Sequence, residues 1–567
     1  MMILRNKQRM ATAVALAATL ATPQVLAGGE QEGTRGLSIQ FHNKAPLPEA
    51  SQRKAPELNV DQLPDQTKAS ATVLGGFNLN AVNFSGNTVF SDAELQAVIA
   101  PYVGQVTLAS DLEDMRLALS QHYIMNGYIN SGAILPDQQV NNGSVRFDLV
   151  EGTISQVNIN GSGRLADSYI ERALVPDGPF NKTALQNNFQ LLLEDPLFEN
   201  LAVSLRPSDA MGQAILNVDV ERAKAYGVNI SYDNHRPVAT GDTQARMSGW
   251  VRNVTGLGDT LELAAIHREG SDGYDVRFEV PVGLGGLSLG VATSKGKADV
   301  IEASVKALNI NSDYTSSSVY AVKDIYRELD GHLTMGFELS SREVTNVLLD
   351  MPWSFSLGEN DGYAKSVAAR LNVDYLSKSP KDVLSMRATY SQGLDAMDST
   401  QNADGRPDSD FSSAVLQVQY ARMLTESGLQ LQLRGSYYWA NEGLLPMEQV
   451  AMGGANTVRG YRENELVRDK GMLASAQLLY PFGNQQNGLG RWNVLAFADV
   501  GKAENVTPTA SQTFDQMSSV GLGLQWRYKE RVSADLYVAH ALEDAPVKAE
   551  NNLQDDGIHF SLSVAVF

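Results

Sequence analysis

The sequence contains no cysteine. Disulfide bonds, thiolate metal sites and cysteine nucleophiles are therefore all excluded. Its seven histidines are scattered, and no two of them stand at the HxH or HExxH spacing of a zinc site. We therefore expect neither a bound metal nor a cofactor.

Positive charge is also scarce. The chain has 45 lysine and arginine residues against 65 aspartate and glutamate residues, which gives a net charge of −20. Because affinity for nucleic acid depends on cationic contacts with phosphate, we expect no nucleic-acid partner. No nucleophile and base stand out as a catalytic arrangement, so the sequence does not predict an enzyme.

Long apolar runs are missing as well. After residue 27, no stretch approaches the ~20 apolar residues that a transmembrane helix needs. Before that point, the basic segment Arg5 to Arg9 precedes an apolar run, Met10 to Leu20. The small residue Ala27 then offers a site for cleavage. This pattern predicts a secretory signal peptide at residues 1–27. The exported chain is then secreted, periplasmic or an outer-membrane β-barrel, and strand periodicity decides among the three.

Residues 28–76 contain four prolines and no helical or strand period, which predicts a linker. Two copies of one α+β plan follow, at residues 77–152 and 153–222. In the first copy, Ser91 and Glu94 form a capping box before a helix, and a second helix covers Asp111 to Met125. Internal repetition of this kind indicates small stacked modules rather than one catalytic domain.

From residue 223 to residue 567, apolar and polar residues alternate in segments of about ten, the signature of transmembrane β-strands. A water-soluble β-sandwich would alternate too, but aromatic-rich apolar faces over so many hairpins favour lipid. Sixteen candidate strands can be counted, an even number, as a single-chain outer-membrane barrel requires. They begin at Ala225, Thr243, Asp259, Tyr274, Gly286, Ser316, His332, Ala364, Asp382, Ser412, Gly428, Gly471, Trp492, Ser518, Val532 and Gly557. We predict a sixteen-stranded antiparallel barrel around a water-filled lumen.

One predicted strand places a carboxylate inside the barrel. Along Trp492 to Val500 every second residue is apolar, and Asp499 lies on the opposite face. A charged side chain facing lipid near mid-bilayer is costly, so Asp499 should point into the lumen. The segment Asn441 to Lys470 is too long and too charged to be a strand. Within it, glycines around Arg459 would allow sharp turns and a close approach to the wall.

These parts, in this order, resemble the transporters of two-partner secretion, the hemolysin-activator type. Two motifs carry the likeness most specifically, namely Val458-Arg459-Gly460-Tyr461 and Phe497-x-Asp499-x-Gly501. Weaker likenesses in the first module and at the barrel entry are Val82 to Ser91, Gly127 to Pro136, Val150-Glu151-Gly152, Tyr232-Asp233-Asn234 and Gly256 to Asp259.

The resemblance implies a membrane β fold with POTRA domains at 77–152 and 153–222 and a barrel at 223–567. It implies the outer membrane of a Gram-negative bacterium, with the POTRA domains in the periplasm. Its partners would be outer-membrane lipid and a large secreted β-rich exoprotein, recognised unfolded by strand addition to the POTRA sheet edges. No nucleotide is expected. The segment 28–76 stands where family members carry a helix that plugs the pore, although it shows no helical period.

The resemblance also implies that Arg459 and Asp499 form a salt bridge that holds a loop inside the lumen. Supporting residues would be Val458, Gly460, Tyr461, Phe497 and Gly501. Two other functions remain as alternatives, an assembly or insertion factor for other outer-membrane barrels and a passive porin. Assembly factors with five modules would need far more chain before the barrel, and a porin has no reason to carry two modules.

Overall fold

The computed structural model describes residues 59–60, 76–175, 178–283, 285–483, 488, 490–507, 514–529, 531–546 and 551–567. The predicted signal peptide and nearly all of the predicted linker lie outside the described residues. The chain divides into two compact units. The described residues of one run from Asn59 to Ala225 and include the turn Gly256–Gly258, and those of the other run from Tyr226 to Phe567.

The first unit contains the two modules. Its elements are β1 (Asn59–Val60), β2 (Phe77–Asn78), β3 (Ala81–Ser85), α1 (Asp92–Ile99), β4 (Val106–Thr107), α2 (Ala109–Met125), β5 (Gly132–Ile134), β6 (Ser144–Val150), β7 (Thr153–Asn160), α3 (Asp167–Leu174), α4 (Lys182–Leu193), β8 (Phe198–Pro207) and β9 (Gln213–Arg222). The order strand, helix, helix, strand, strand is present in both modules.

In the first module, two helices cover a three-stranded sheet with the order β3-β6-β5. The predicted capping box forms, because Ser91 accepts from the Glu94 amide and the Glu94 carboxylate accepts from the Ser91 amide. The core lies between helices and sheet, where Leu95, Tyr123 and Phe147 are fully buried.

The second module has a four-stranded sheet with the order β1-β8-β9-β7. Its core includes Ile170, Leu185 and Leu205. Strand β1 comes from the region before the first module and pairs in parallel with β8, with Asn59 opposite Ser204. One edge of this sheet therefore carries an added strand, and β7 forms the other edge.

The second unit contains the barrel. Its strands are β10 (Tyr226–Asp233), β11 (Gln244–Arg252), β12 (Thr260–Arg268), β13 (Ser271–Pro281), β14 (Leu287–Asp299), β15 (Asn311–Glu328), β16 (Gly331–Leu348), β17 (Met351–Pro352), β18 (Tyr363–Lys378), β19 (Asp382–Gly393), β20 (Ser412–Met423), β21 (Gln430–Ala440), β22 (Val450–Met452), β23 (Leu466–Arg468), β24 (Lys470–Phe482), β25 (Arg491–Glu504), β26 (Gln516–Tyr528), β27 (Val532–Ala541) and β28 (Ile558–Ala565).

Sixteen of these strands form the closed barrel wall, which confirms the predicted fold. Neighbours pair antiparallel, and β10 closes the ring against β28 with Asn229 opposite Ala565. The short β17 only extends the ladder of β16, and β22 and β23 pair with each other apart from the wall. No helix in the described ranges has the length and the apolar run that crossing a membrane would take.

Residue parity separates the two faces of the wall. Along β26, Leu522 is 62% exposed, while Ser519 and Gln525 are buried. Along β18, Arg370 and Asp374 are buried and Leu371 is exposed. On these two strands the outward-facing side chains named are apolar and the inward-facing ones are polar or charged, as lipid on the outside favours.

Candidate functional site

A long connection between β21 and β24, residues 441–469, lies among the inward-facing side chains of the wall. We name it the lumen loop. Strands β22 and β23 give it a two-stranded stem, with Ala451 opposite Val467. Beyond the stem, the tip carries Val458, Arg459 and Tyr461, all at most 2% exposed. The lumen loop is therefore packed like a protein core.

Glycines shape this tip. Gly453 and Gly454 have φ values of +109° and +96°, in the left-handed region that side chains rarely adopt. A Cβ at Gly453 would also stand 2.4 Å from the Arg462 carbonyl oxygen. At Gly460 (φ +93°), a Cβ would contact the Ala539 Cβ at 3.0 Å on β27. The sharp turn and the close approach to the wall both require glycine.

The structure brings Arg459 and Asp499 together. Arg459 Nε donates to Asp499 Oδ2 and Nη2 donates to Oδ1, each over 2.7 Å, and both side chains are fully buried. The backbone amide of Arg459 donates to the same carboxylate over 3.2 Å. This is a bidentate pair, the strongest geometry that arginine offers a carboxylate. Removing one member of such a buried pair typically costs about 3–5 kcal/mol, because the other charge is stranded.

The wall satisfies the rest of the guanidinium group. Nη2 donates to Ser475 Oγ over 3.2 Å and Nη1 donates to Gln477 Oε1 over 3.3 Å, both on β24. Ser475 is the cross-strand neighbour of Asp499. The guanidinium carbon also lies 3.4 Å from the centre of the Phe497 ring, a cation–π contact. Arg459 therefore contacts side chains of two adjacent strands, β24 and β25.

The other predicted site residues lie around this pair. Gly501 leaves room for Val458, whose Cγ2 would stand 2.9 Å from a Cβ at that glycine. The Gly460 amide donates to His559 Nε2 over 3.3 Å. The Tyr461 hydroxyl donates to the Ser518 carbonyl over 2.9 Å and accepts from the Glu543 amide over 3.1 Å. The two motifs thus form one interface between loop tip and wall.

Three further ion pairs attach the lumen loop, and none of them was predicted from the sequence. Near the stem, Glu448 accepts from Arg370 Nη2 over 2.7 Å and from Arg342 Nη1 over 3.3 Å. Beyond the tip, Arg462 forms a bidentate pair with Asp555, with both contacts at 2.6 Å. Parity could have placed Arg342 and Arg370 in the lumen, but no pattern in the sequence indicates which loop residue meets them.

In the first module, the predicted motif Val150-Glu151-Gly152 has a structural role. Glu151 accepts from the amides of Thr88 and Val89 over 2.7 and 2.8 Å, and from the buried Tyr123 hydroxyl over 2.9 Å. Burial raises the pKa of Glu151, but the hydrogen bonds from Thr88, Val89 and Tyr123 outweigh it and hold that pKa below its ordinary value. At Gly152, a Cβ would stand 2.3 Å from the Asn130 side chain, so this position requires glycine.

Comparisons with known proteins agree with this architecture. The family model described as haemolysin secretion/activation protein ShlB/FhaC/HecB matches residues 212–526, and a ShlB-type POTRA domain model matches residues 77–152. The outer membrane transporter CdiB of Dickeya dadantii is 22% identical, over 73% of this chain and 74% of that protein. The heme/hemopexin transporter protein HuxB of Haemophilus influenzae is 27% identical, but over only 33% of this chain and 36% of that protein.

A solved structure has the same fold. CdiB from Escherichia coli superimposes with a TM-score of 0.67 at 17% identity, over 88% of this chain and 93% of that one. The family model covers more than half of the chain, and the barrel and the POTRA modules are those of the family. The chain therefore belongs to the haemolysin secretion/activation family ShlB/FhaC/HecB, the outer-membrane transporters of two-partner secretion, which act with a secreted exoprotein and have their POTRA domains in the periplasm.

Proposed function

We propose that this protein binds a large β-rich exoprotein, still unfolded, through its POTRA modules and passes it through the barrel. At rest, the lumen loop occupies the path. The main support for this proposal is the Arg459–Asp499 pair. It holds the loop by side-chain contacts, which can open and re-form. No nucleotide is needed in this scheme, since folding of the exoprotein outside the cell would make export irreversible.

The sheet of the second module supports strand addition as the mode of recognition. Strand β8, which runs from Phe198 to Pro207, already accepts β1 at its edge, where Asn59 pairs with Ser204 and Val60 with Leu205. The opposite edge, β7, presents a row of backbone groups on its outer side. An extended segment can form main-chain hydrogen bonds with such an edge whatever its side chains are, which suits an unfolded partner.

The domain boundaries belong to the same proposal. Residues 1–27 would direct export and be removed, and residues 28–76 would link the mature N-terminus to the first POTRA domain. The POTRA domains would occupy 77–152 and 153–222, and the barrel would occupy 223–567.

A comparison of culture media tests the proposed function even when the exoprotein is unidentified. The strain that carries this chain, a deletion strain and a complemented strain would be compared by quantitative mass spectrometry of the medium and of the outer membrane. We expect one large protein to disappear from the medium on deletion and to return on complementation. A loss of several outer-membrane barrels with an unchanged medium would instead indicate an assembly factor.

A further inference from the structure

The barrel closes where β10 meets β28, and we name this junction the seam. Five residue pairs join the two strands, from Asn229 opposite Ala565 to Asp233 opposite Ser561. Within the described ranges, each other pair of neighbouring wall strands shares at least seven such pairs. Because main-chain hydrogen bonds hold one strand to the next, the seam has the shortest ladder of the described wall.

The motif Tyr232-Asp233-Asn234, noted in the sequence, extends this short ladder by a side chain. Strand β10 ends at Asp233, and the next residue, Asn234, is fully buried. The amide of Asn234 donates to the Phe560 carbonyl over 3.3 Å, and its Oδ1 accepts from the Phe560 amide over 2.8 Å. Its Nδ2 donates to the Ile558 carbonyl over 2.9 Å. The side chain of Asn234 thus takes the place of main-chain groups that a longer β10 would supply.

A second side-chain amide, that of Gln554 in the connection between β27 and β28, reinforces the seam. Gln554 is also fully buried. Its Nε2 donates to the Asn234 carbonyl over 2.7 Å and to the Arg236 carbonyl over 2.8 Å. The Asn234 carbonyl can make this contact because Phe560 donates to the Asn234 side chain instead. We name Asn234 and Gln554 together the clasp.

The lumen loop is the third partner in this arrangement. Gln554 Oε1 accepts from the Glu463 amide over 2.9 Å. Glu463 moves with the tip, because its own Oε1 accepts from the Ala455 amide over 2.8 Å. The preceding residue of the loop, Arg462, forms its bidentate pair with Asp555. Two consecutive residues of the loop therefore hold two consecutive residues of the connection that leads into β28.

We propose that the clasp couples the lumen loop to the seam, so that release of the tip for export loosens the seam where it meets the loop. The three hydrogen bonds of the Gln554 side chain require one orientation of its amide group, in which Oε1 meets the loop and Nε2 meets the seam. When the tip leaves, the Glu463 amide no longer holds Oε1 and the Arg462–Asp555 pair is lost. The Nε2 contacts with the seam then lose their support.

The coupling acts in both directions. If release of the tip loosens the seam, a seam that is held shut must favour the seated loop by the same factor. Asn234 and Gln554 are positioning residues in this scheme, because they act through the strands and the loop that they connect. The inference rests on the proposed function only in that export is what releases the tip.

Hydrogen exchange of the purified full chain in lipid nanodiscs tests the coupling without any exoprotein. Arg459→Ala unseats the tip and should speed exchange of the first β28 amides, such as that of Phe560, by about two- to tenfold, the effect of losing a hydrogen bond. Gln554→Glu should have a similar effect, because it keeps the acceptor for the Glu463 amide but has no donor for the two carbonyls.

The double variant measures the coupling itself. Once Gln554→Glu has cut the clasp, Arg459→Ala should add little to the exchange rate of β28, so the two effects should not add. Asn234→Asp offers a second way to cut the clasp, because it keeps the acceptor for Phe560 and loses the donor to Ile558. The internal control is the ladder between β13 and β14, which should exchange as in the wild type in every variant and so report an intact barrel.

A reversible disulfide across the seam tests the opposite direction, and the absence of native cysteine makes it specific. Ser231→Cys with Ser563→Cys places two thiols directly opposite each other on β10 and β28. In planar lipid bilayers with KCl as the only salt, oxidation should lower the fraction of time that the pore is open by about fivefold or more, and reduction should restore it. The matched control, Ala292→Cys with Ser318→Cys on β14 and β15, should give the same open fraction in both redox states.

Three results would overturn the coupling. The first is unchanged exchange of the β28 amides in Arg459→Ala, and the second is full additivity of Arg459→Ala and Gln554→Glu. The third is an open fraction that responds equally to oxidation in the seam pair and in the control pair. A deletion strain that still releases its large protein would refute the proposed function instead, while hydrogen exchange would still decide on the clasp.

Discussion

At the scale of single residues, the account depends on how a buried arginine is satisfied. Arg459 is fully buried, and its guanidinium group contacts a carboxylate, a hydroxyl, an amide oxygen and an aromatic ring. Lysine could not reproduce the planar, bidentate contact with Asp499. These contacts fix the tip of the loop in one position on the wall.

We therefore expect Arg459→Ala to leave the barrel folded and inserted but to lower secretion sharply. The stranded Asp499 would weaken closure, and the tip would lose its defined resting position. Secretion is measured in the culture medium, and folding by the heat-dependent mobility of the barrel on gels. The exchange Arg459→Asp with Asp499→Arg tests the pairing, because it should recover part of the secretion lost in either single variant. Full secretion by Arg459→Ala would show that the pair does not control export.

Glu151 provides a second test at this scale. Glu151→Ala strands the buried Tyr123 hydroxyl and two backbone amides, which should destabilise the first module by about 1–3 kcal/mol. Hydrogen exchange of the α2 amides in the full chain measures this loss against the wild type. Because folding lowers the pKa of Glu151 from an ordinary value of 4.5, its stabilisation is complete above that pH. The difference between the two proteins should shrink as the pH falls further, through the lowered pKa, and a difference that persisted there would contradict the assigned role.

Some of these site residues could be predicted from the sequence and others could not, and the difference has a physical reason. Asp499 could be placed in the lumen because strand parity and the cost of charge in lipid act locally. Arg459 was identified through a motif of the resembling family. Glu448 has neither a strand period nor a motif, and its two arginines are more than 75 positions away in the chain. Such a contact is set by the path of a loop through the lumen, which local patterns do not encode.

At the scale of elements, strand positions were largely predictable. Each predicted start of a barrel strand lies within five residues of the observed one, because one lipid-facing side imposes a period of two. The largest difference is at β15, predicted from Ser316 and observed from Asn311. Its first residues are polar on both faces, so the alternation that reveals a strand inside lipid is absent there. The stem strands β22 and β23 were missed because each has only three residues.

The edges of the POTRA sheets are the places where we propose that the exoprotein binds. If the second module receives the exoprotein, deletion of residues 154–221 should leave an inserted barrel that conducts ions but secretes nothing. The conductance of the shortened protein in lipid bilayers shows whether the barrel is intact, and the medium shows whether export continues. Export at the normal level would mean that the module only braces the barrel and does not receive the partner.

At the scale of the whole molecule, the proposed function gives the two parts different roles: the POTRA modules bind the exoprotein, and the barrel provides its path across the membrane. Ion pairs lie along the inner face of the wall, such as Arg387 with Asp374 at 2.5 Å. The lumen loop is attached to the wall by ion pairs as well, through Arg459, Glu448 and Arg462.

The most direct measurement of export through the lumen is site-specific photo-cross-linking in growing cells. A photoreactive residue would replace either Asn372, which is buried on the lumen side of β18, or its neighbour Leu371, which is 44% exposed on the lipid side. The account predicts that irradiation joins the chain to a large protein of the medium from position 372 and not from position 371. Equal capture at both positions, or capture of that protein from 371 alone, would contradict passage of the exoprotein through the barrel.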